Sequence, residues 1–283
     1  MAVLTPDLIA SFERDGYVLT PDIFSKEELD EFGSAVDRAV AGRTADDHRT
    51  LADKGLYEQS FVQCMRLWET DPDVAPLTFH SALAEAASEL LGIERVRLWQ
   101  DQALYKEPGG RETDPHQDAT FWPIGDTPLV SAWIPLAGST LETGTMGYVP
   151  GSHKAGRLHP VDLTYTTEPY DILSDPALGG AASTYVEAAP GSVIWHHGLT
   201  VHQAMPNVSD AVRRVFTVVF IADGHPRTDS WPVFPLDRDS VAVGEPMEGP
   251  GMPIIWPRDP GDIPPVPSVQ GEATGPQFQV PGQ

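Results

Sequence analysis

The chain has 283 residues, of which 41% are hydrophobic and 21% are charged, as in an ordinary globular protein. Its 41 acidic and 18 basic residues give a net charge of −23, which opposes binding to nucleic acid or to an anionic membrane surface. With one cysteine, Cys64, the chain forms neither an internal disulfide nor a zinc site built on cysteines. All-β proteins of this length are often single domains, so we expect one domain over residues 1–283.

The distribution of apolar residues argues against a membrane protein. No run approaches the roughly 20 apolar residues that a membrane-spanning helix needs. The first 16 residues carry acidic side chains and lead into a predicted turn, which does not match a signal peptide. We therefore expect a cytoplasmic protein that binds neither membrane nor nucleic acid.

Helical patterns with capping residues dominate the first ninety residues. A Ser-x-x-Glu capping box opens one helix at Ser25, and Gly92 closes the last of them. The predicted helices run from Pro6 to Gly16, from Ser25 to about Val40 and from Ala82 to Leu91. Residues 17–19 predict a strand, and the polar residues 42–59 predict a surface loop.

From residue 94 onward the apolar pattern becomes that of strands. The predicted strands are Val96–Tyr105, Leu129–Leu136, Ser192–His196 and Val212–Ile221. Helices followed by strands, with glycine and proline between them, predict a β-barrel or double sheet buttressed by helices.

The tail from about residue 223 is rich in proline. These last 61 residues hold 13 of the 28 prolines, so we expect no regular helix or sheet there. Apolar residues such as Trp231 and Trp256 favour a docked, extended wrap as far as about residue 260. We further expect this tail and segment 42–59 to flank the mouth of a pocket, with at least one of them acting as a lid.

An H-x-D tripeptide at His116 and Asp118 is the first candidate for chemistry. Residues two apart on a strand share one face, so both side chains can reach one metal ion. Two imidazoles and one carboxylate are the ligands of non-haem Fe(II) oxygenases, so a second histidine is required. The sequence offers six candidates, which are His153, His159, His196, His197, His202 and His225. Of these, His196 and His197 also suit buried, hydrogen-bonded positions, and His153 suits a tight turn.

Four segments carry a more specific signal together than any one of them alone. They are HQDATFWP (116–123), AWIPL (132–136), PGSHKAG (150–156) and GSVIWHHGLTVHQAMPNVSDAVRR (191–214). With them the sequence resembles the phytanoyl-CoA dioxygenase family of Fe(II)- and 2-oxoglutarate-dependent oxygenases over roughly residues 8–222. The resemblance implies a mainly β fold with a helical buttress around a double-stranded β-helix core, the jelly-roll or cupin-like fold.

The resemblance also assigns roles to individual residues. It selects His202 as the third metal ligand beside His116 and Asp118. It selects Arg213, eleven residues after His202, as the anchor of 2-oxoglutarate. Strand parity does not separate Arg213 from Arg214, because both faces of that strand are apolar.

Three further positions follow from the resemblance. Gln102 and Trp133 fall where relatives contact 2-oxoglutarate, although Trp133 also suits plain core packing. A serine that often follows the distal histidine by two residues is Ala204 here. One hydrogen bond to the cosubstrate is therefore missing or supplied by another residue.

The implied activity uses Fe(II), 2-oxoglutarate and O2 to hydroxylate, or otherwise oxidise, an unactivated C–H bond of a small-molecule metabolite. We do not expect a CoA ester, because no basic cluster is present to receive its negative charges. We do not expect an ectoine hydroxylase either, because that branch's extended motif around H-x-D is absent. A related halogenase lacks the carboxylate that Asp118 supplies. The remaining alternative is a non-catalytic metal- or ligand-binding β-barrel.

Overall fold

The computed structural model describes residues 3–275. Its α-helices are α1 (Pro6–Asp15), α2 (Lys26–Arg43), α3 (Leu56–Ser60), α4 (Leu67–Thr70), α5 (Ala75–Thr78), α6 (Ser81–Leu91) and α7 (Phe234–Arg238). Its strands are β1 (Tyr17–Thr20), β2 (Val62–Met65), β3 (Val96–Lys106), β4 (Thr113–His116), β5 (Leu129–Pro135), β6 (Met146–Tyr148), β7 (Thr184–Val186), β8 (Val193–His197), β9 (His202–Ala204), β10 (Arg213–Ala222) and β11 (Ile254–Trp256).

The first two helices begin where the sequence predicts them. The Thr5 side chain accepts a hydrogen bond from the backbone N–H of Leu8, and Gly16 ends α1 in the left-handed conformation with φ of 80°. The capping box of Ser25 and Glu28 forms at the start of α2. The Thr5 and Ser25 caps satisfy backbone N–H groups that the first helical turn leaves without partners.

The strands form two antiparallel sheets. The larger sheet has the order β1-β8-β5-β10-β3-β11, with β2 also paired to β3, and the smaller has the order β4-β9-β6-β7. This arrangement is the predicted jelly roll with a helical buttress. Among residues 3–275, no helix has both the length and the hydropathy needed to cross a bilayer.

Strand alternation divides the larger sheet into an outer and an inner face. Outer-face residues such as Phe216, Val218 and Phe220 are fully buried in one apolar cluster with residues of the N-terminal helices. Inner-face residues, including Val215 and Val219, face the space between the two sheets. The helices thus cover one face of the sheet and leave the other to form the walls of a cavity.

Segment 42–59 is not the plain loop that its polarity predicts. It contains a 3-10 helix over Leu51–Asp53 and the start of α3. The Glu58 carboxylate accepts from the backbone N–H of Gly55 at 3.1 Å, which caps the short helix. A local polar cap therefore forms a helix that has no periodic apolar stripe to predict it.

The prediction that the tail lacks regular structure is also wrong. It contains α7 and β11, and β11 pairs with β3 at the edge of the larger sheet. Pro235 lies in the first turn of α7, where no intrahelical N–H bond is required, and an edge strand tolerates neighbouring prolines. The docked wrap extends past residue 260, because Thr274 forms a β-bridge with Cys64.

Candidate active site

Pairing of two short strands brings distant parts of the chain together at one end of the smaller sheet. Strands β4 and β9 are antiparallel, and His116 lies directly opposite His202. The strand ends at His116, so Asp118 opens the following 3-10 helix instead of continuing the predicted strand. Gln117 between them is still extended, with φ of −114° and ψ of 126°.

The donor atoms of His116, Asp118 and His202 converge. Each histidine Nε2 lies 3.5 Å from Asp118 Oδ1, and the three donor atoms lie within 4.8 Å of one another. His116 Nδ1 lies 2.7 Å from the carbonyl oxygen of Asp114, and His202 Nδ1 lies 2.9 Å from that of Thr200. Each Nδ1–H therefore donates to backbone, which leaves both Nε2 lone pairs to face the carboxylate oxygen.

The protonation states match what a divalent metal requires of its ligands. Burial lowers the pKa of the His202 imidazole to about 3, so this ring is neutral near pH 7. Burial opposes ionisation of Asp118, but the neighbouring histidines, His202 foremost, hold the pKa of its carboxyl well below the usual value. Neutral imidazoles and an ionised carboxylate are the forms that ligate metal. The residues present therefore fit a site for Fe(II).

The second oxygen of Asp118 has partners of its own. Ser131 Oγ lies 3.3 Å and His196 Nε2 lies 3.2 Å from Asp118 Oδ2. The sequence left His196 open between ligand and buried polar residue, and the structure gives it the carboxylate side chain as partner. Along β8, the inward-facing His196 alternates with the outward-facing Trp195 and His197. This alternation was the one signal in the sequence that could have indicated that His196 faces the site.

The other candidate histidines lie elsewhere. The rings of His153 and His197 pack on each other with centroids 5.5 Å apart. The His159 ring contacts Tyr170 with centroids 5.2 Å apart. None of these histidines lines the cavity that contains the triad, and neither does His225.

That cavity lies between the two sheets. Its walls carry the three triad residues, together with all three residues that the resemblance assigns to 2-oxoglutarate, which are Arg213, Gln102 and Trp133. Much of the remaining lining is apolar or aromatic, including Phe61, Phe121, Trp122 and Leu163. A mostly apolar cavity with a few convergent polar groups is typical of a small-molecule site.

The two neighbouring arginines of β10 lie on opposite faces of the sheet. Arg213 is buried on the inner face, where Nη1 donates to the carbonyl oxygen of Gly144 and the guanidinium lies 5.4 Å from the centre of the Trp133 ring. Its Nε is buried without a hydrogen-bond partner in the described part of the chain. Arg214 instead forms an ion pair with Asp37 of α2 on the outer face. Only Arg213 can therefore meet a ligand in the cavity.

Burial lowers the pKa of Arg213 to about 10, so the guanidinium stays charged near neutral pH. A buried cation with unused donors is costly unless an anion joins it. The arginine therefore suits the carboxylate of an acid that enters the cavity.

Two further residues of the cavity were missed from the sequence. The Tyr57 hydroxyl donates to Gln63 Oε1 at 2.8 Å, and Gln63 Nε2 donates to Gln102 Oε1 at 2.6 Å. Tyr57 comes from segment 42–59, which therefore does border the cavity. The tail borders an adjacent cavity, whose lining includes Trp122 together with Val233 and Phe234 of the tail. Movement of either segment as a lid remains a prediction.

The family model for phytanoyl-CoA dioxygenase (PhyH) matches residues 12–215. The chain belongs to this family. It is 26% identical over 261 residues to the phytanoyl-CoA dioxygenase domain-containing protein 1 homolog of Caenorhabditis briggsae, a match that covers 75% of this chain and 89% of that protein. The family resemblance read from the sequence is thus confirmed.

Solved structures agree with this assignment. The non-haem alpha-ketoglutarate-dependent carbocyclase SnoK of nogalamycin biosynthesis superposes with a TM-score of 0.73 at 26% identity, covering 90% of this chain and 98% of that one. EctD from S. alaskensis, solved with 2-oxoglutarate and 5-hydroxyectoine, has a TM-score of 0.64 at 25% identity, covering 80% of this chain and 79% of that one. The predicted jelly-roll fold is confirmed by these likenesses.

Proposed function

We propose that this protein is an Fe(II)- and 2-oxoglutarate-dependent dioxygenase that hydroxylates, or otherwise oxidises, an unactivated C–H bond of a small-molecule metabolite. One observation carries the proposal. The donor atoms of His116, Asp118 and His202 meet within 4.8 Å in the wall of a cavity that also holds the buried Arg213. Family membership and the likeness to SnoK, an alpha-ketoglutarate-dependent carbocyclase, support the same reaction class.

Each residue has a role in this proposal. His116, Asp118 and His202 would hold the iron, and Arg213 would pair with the far carboxylate of 2-oxoglutarate through its planar fork. Gln102 and Trp133 would contact the cosubstrate beside that carboxylate. When bound, the iron activates O2 and couples the oxidative decarboxylation of 2-oxoglutarate to oxidation of the substrate. Aromatic residues of the cavity wall would orient the substrate and exclude water.

The charges in the cavity argue against a CoA ester. Arg213 is the sole arginine or lysine among the described residues that line it, and the cosubstrate would occupy that charge. The phosphates of a CoA ester would then find no further lysine or arginine in this lining. An uncharged or weakly charged metabolite fits better. The cytoplasmic location stays a prediction.

Reconstitution tests the proposal. The protein is loaded with Fe(II) without oxygen, then mixed with 2-oxoglutarate, air and a metabolite library. We expect substrate-dependent formation of succinate and a product heavier by one oxygen atom, or its desaturated equivalent. Metal binding without any turnover of 2-oxoglutarate would contradict the proposal and favour a non-catalytic binding protein. A chlorinated product in chloride buffer would instead favour a halogenase.

A further inference from the structure

Three side chains form a hydrogen-bonded chain along one wall of the cavity. It runs from the Tyr57 hydroxyl to Gln63 Oε1 and from Gln63 Nε2 to Gln102 Oε1, over 2.8 and 2.6 Å. Tyr57 and Gln63 are each only 7% exposed. Because every amide has one accepting and one donating end, fixing the first bond fixes the orientation of both amides.

The first bond has a definite direction. The Tyr57 hydroxyl donates to Gln63 Oε1, and burial raises the pKa of this hydroxyl, so the phenol keeps at neutral pH the proton that it donates. A protonated phenol that donates to Gln63 turns the amide oxygen of Gln63 toward itself. The amide nitrogen of Gln63 then faces Gln102 Oε1, and the Gln102 nitrogen is left to face the cavity.

The sheet register puts Gln102 in a row of residues between the triad and Arg213. Gln102, Thr217 and Trp133 form one cross-strand row on the inner face. Arg213 lies over the Trp133 ring at one end of this region. At the other end Ser131, two residues from Trp133 on β5, contacts Asp118. An acid that reaches from the triad to Arg213 therefore crosses the row that holds Gln102.

We propose that Tyr57 and Gln63 are positioning residues that hold the Gln102 amide with its N–H groups toward a carboxylate oxygen of 2-oxoglutarate. The inference rests on the proposed function. If the amides of Gln63 and Gln102 were both flipped, the Gln102 carbonyl oxygen would face a carboxylate and repel it. This row of hydrogen-bonded side chains also gives the cosubstrate a donor, the Gln102 amide, in a site where Ala204 has no hydroxyl. Segment 42–59, through Tyr57, thus becomes part of the cosubstrate site.

A double-mutant cycle tests whether Tyr57 acts through Gln102. The Co(II)-loaded protein is titrated with 2-oxoglutarate in a calorimeter, so the reading does not depend on turnover. Tyr57→Phe and Gln63→Met should each weaken binding by about 3- to 10-fold, the effect of losing one neutral hydrogen bond. In a Gln102→Met background, both substitutions should have no further effect, because the residue through which they act is gone.

Tyr105→Phe is the matched control. Tyr105 is 8% exposed and its hydroxyl donates to Asp37 at 2.5 Å, but on the outer face of the same sheet. It should leave the affinity for 2-oxoglutarate unchanged. An equal loss on Tyr57→Phe with and without Gln102 would overturn the inference, as would no loss at all, while leaving the proposed function intact. If the unmodified Co(II) protein binds no 2-oxoglutarate, the proposed function itself is wrong.

Discussion

The two oxygens of Asp118 have different neighbours, and this difference sets the direction of the carboxylate. Oδ1 lies 3.5 Å from the Nε2 atoms of His116 and His202, whereas Oδ2 lies close to Ser131 and His196. The Ser131 hydroxyl and the His196 Nε2–H can both donate to Oδ2. They thereby hold the plane of the carboxylate so that Oδ1 stays with the two histidines.

Replacement of His196 should therefore weaken metal binding. His196→Leu removes the donor to Asp118 Oδ2, and a loss of this kind typically lowers metal affinity by about 10- to 100-fold. His196→Gln keeps an N–H near the same place and should recover most of the affinity. The measurement is Co(II) titration followed by calorimetry. Because the His197 ring packs against His153 outside the cavity, His197→Gln serves as the control and should not change the affinity.

The two arginines of β10 allow a second test at the residue scale. Arg213→Lys keeps the charge but loses the planar fork, so 2-oxoglutarate binding should weaken by about 1.5–3 kcal/mol. Arg214→Lys changes only an outer-face ion pair with Asp37 and should leave binding unchanged. Calorimetric titration of both Co(II)-loaded variants gives the comparison. A large loss in the Arg214 variant alone would reverse the assignment.

At the residue scale, the sequence identifies the candidate site residues but not the side chains that contact them. His116 and Asp118 stand two apart in the chain, so their spacing is visible, and the family motif selects His202 and Arg213. The pairing of His116 with His202 depends on strand register across 86 residues, which no local pattern encodes. The contact of His196 with Asp118 and the bond from Tyr57 to Gln63 depend on tertiary packing in the same way.

At the scale of elements, the tail is held to the barrel by a buried ionic cluster. Glu69 is 1% exposed and accepts two bonds of 2.9 Å from Arg238 of α7. Its Oε2 also accepts from the backbone N–H of Gly271 at 2.7 Å. Arg66 Nη1 lies 3.7 Å from Oε1 on the barrel side. One carboxylate therefore joins the barrel to two separate parts of the tail.

Glu69→Ala should loosen the tail and destabilise the fold. It removes the carboxylate that two buried guanidinium groups share, although Arg238 keeps its ion pair with Asp239. Breaking a buried ion pair in this way typically costs about 3–5 kcal/mol of unfolding free energy. Urea unfolding gives the loss of stability, and limited proteolysis should detect faster cleavage beyond residue 223. Glu248→Ala is the control, because its pair with Arg97 has a carboxylate side chain that is 63% exposed. That change should cost less than about 1 kcal/mol.

Some of the helices and strands can be predicted from the sequence, and others cannot. Capping residues and long apolar patterns predicted α1, α2, α6 and the long strands β3, β5 and β10 within a few residues. The short strands β2, β6 and β7 were not predicted, because three or four residues carry too little periodicity and are stabilised by pairing alone. In the tail, the high proline content argued against regular structure, yet α7 has its one proline in the first turn and β11 contains none.

At the scale of the whole molecule, a chain with 41 acidic and 18 basic residues buries one lysine completely. Lys106 ends β3 with no exposed surface, and its Nζ donates to the carbonyl oxygen of Arg111. Burial, followed by the charge of Arg213, lowers the pKa of Lys106 to about 6. This lysine is therefore largely neutral in the folded protein near pH 7, although it is protonated in the unfolded chain.

Lys106 should make stability rise with pH. Between about pH 6 and its unfolded pKa of 10.5, the unfolded chain binds one more proton than the folded protein at this position. The free energy of unfolding therefore increases with pH through that window, by at most about 1.4 kcal/mol per pH unit. Lys106→Met removes the contribution. Urea unfolding of both proteins at pH 7 and pH 9 isolates it, because self-repulsion among the many acidic residues is common to both. The unmodified protein should gain stability relative to the variant between these values, and a constant difference would mean that Lys106 is protonated in the folded state.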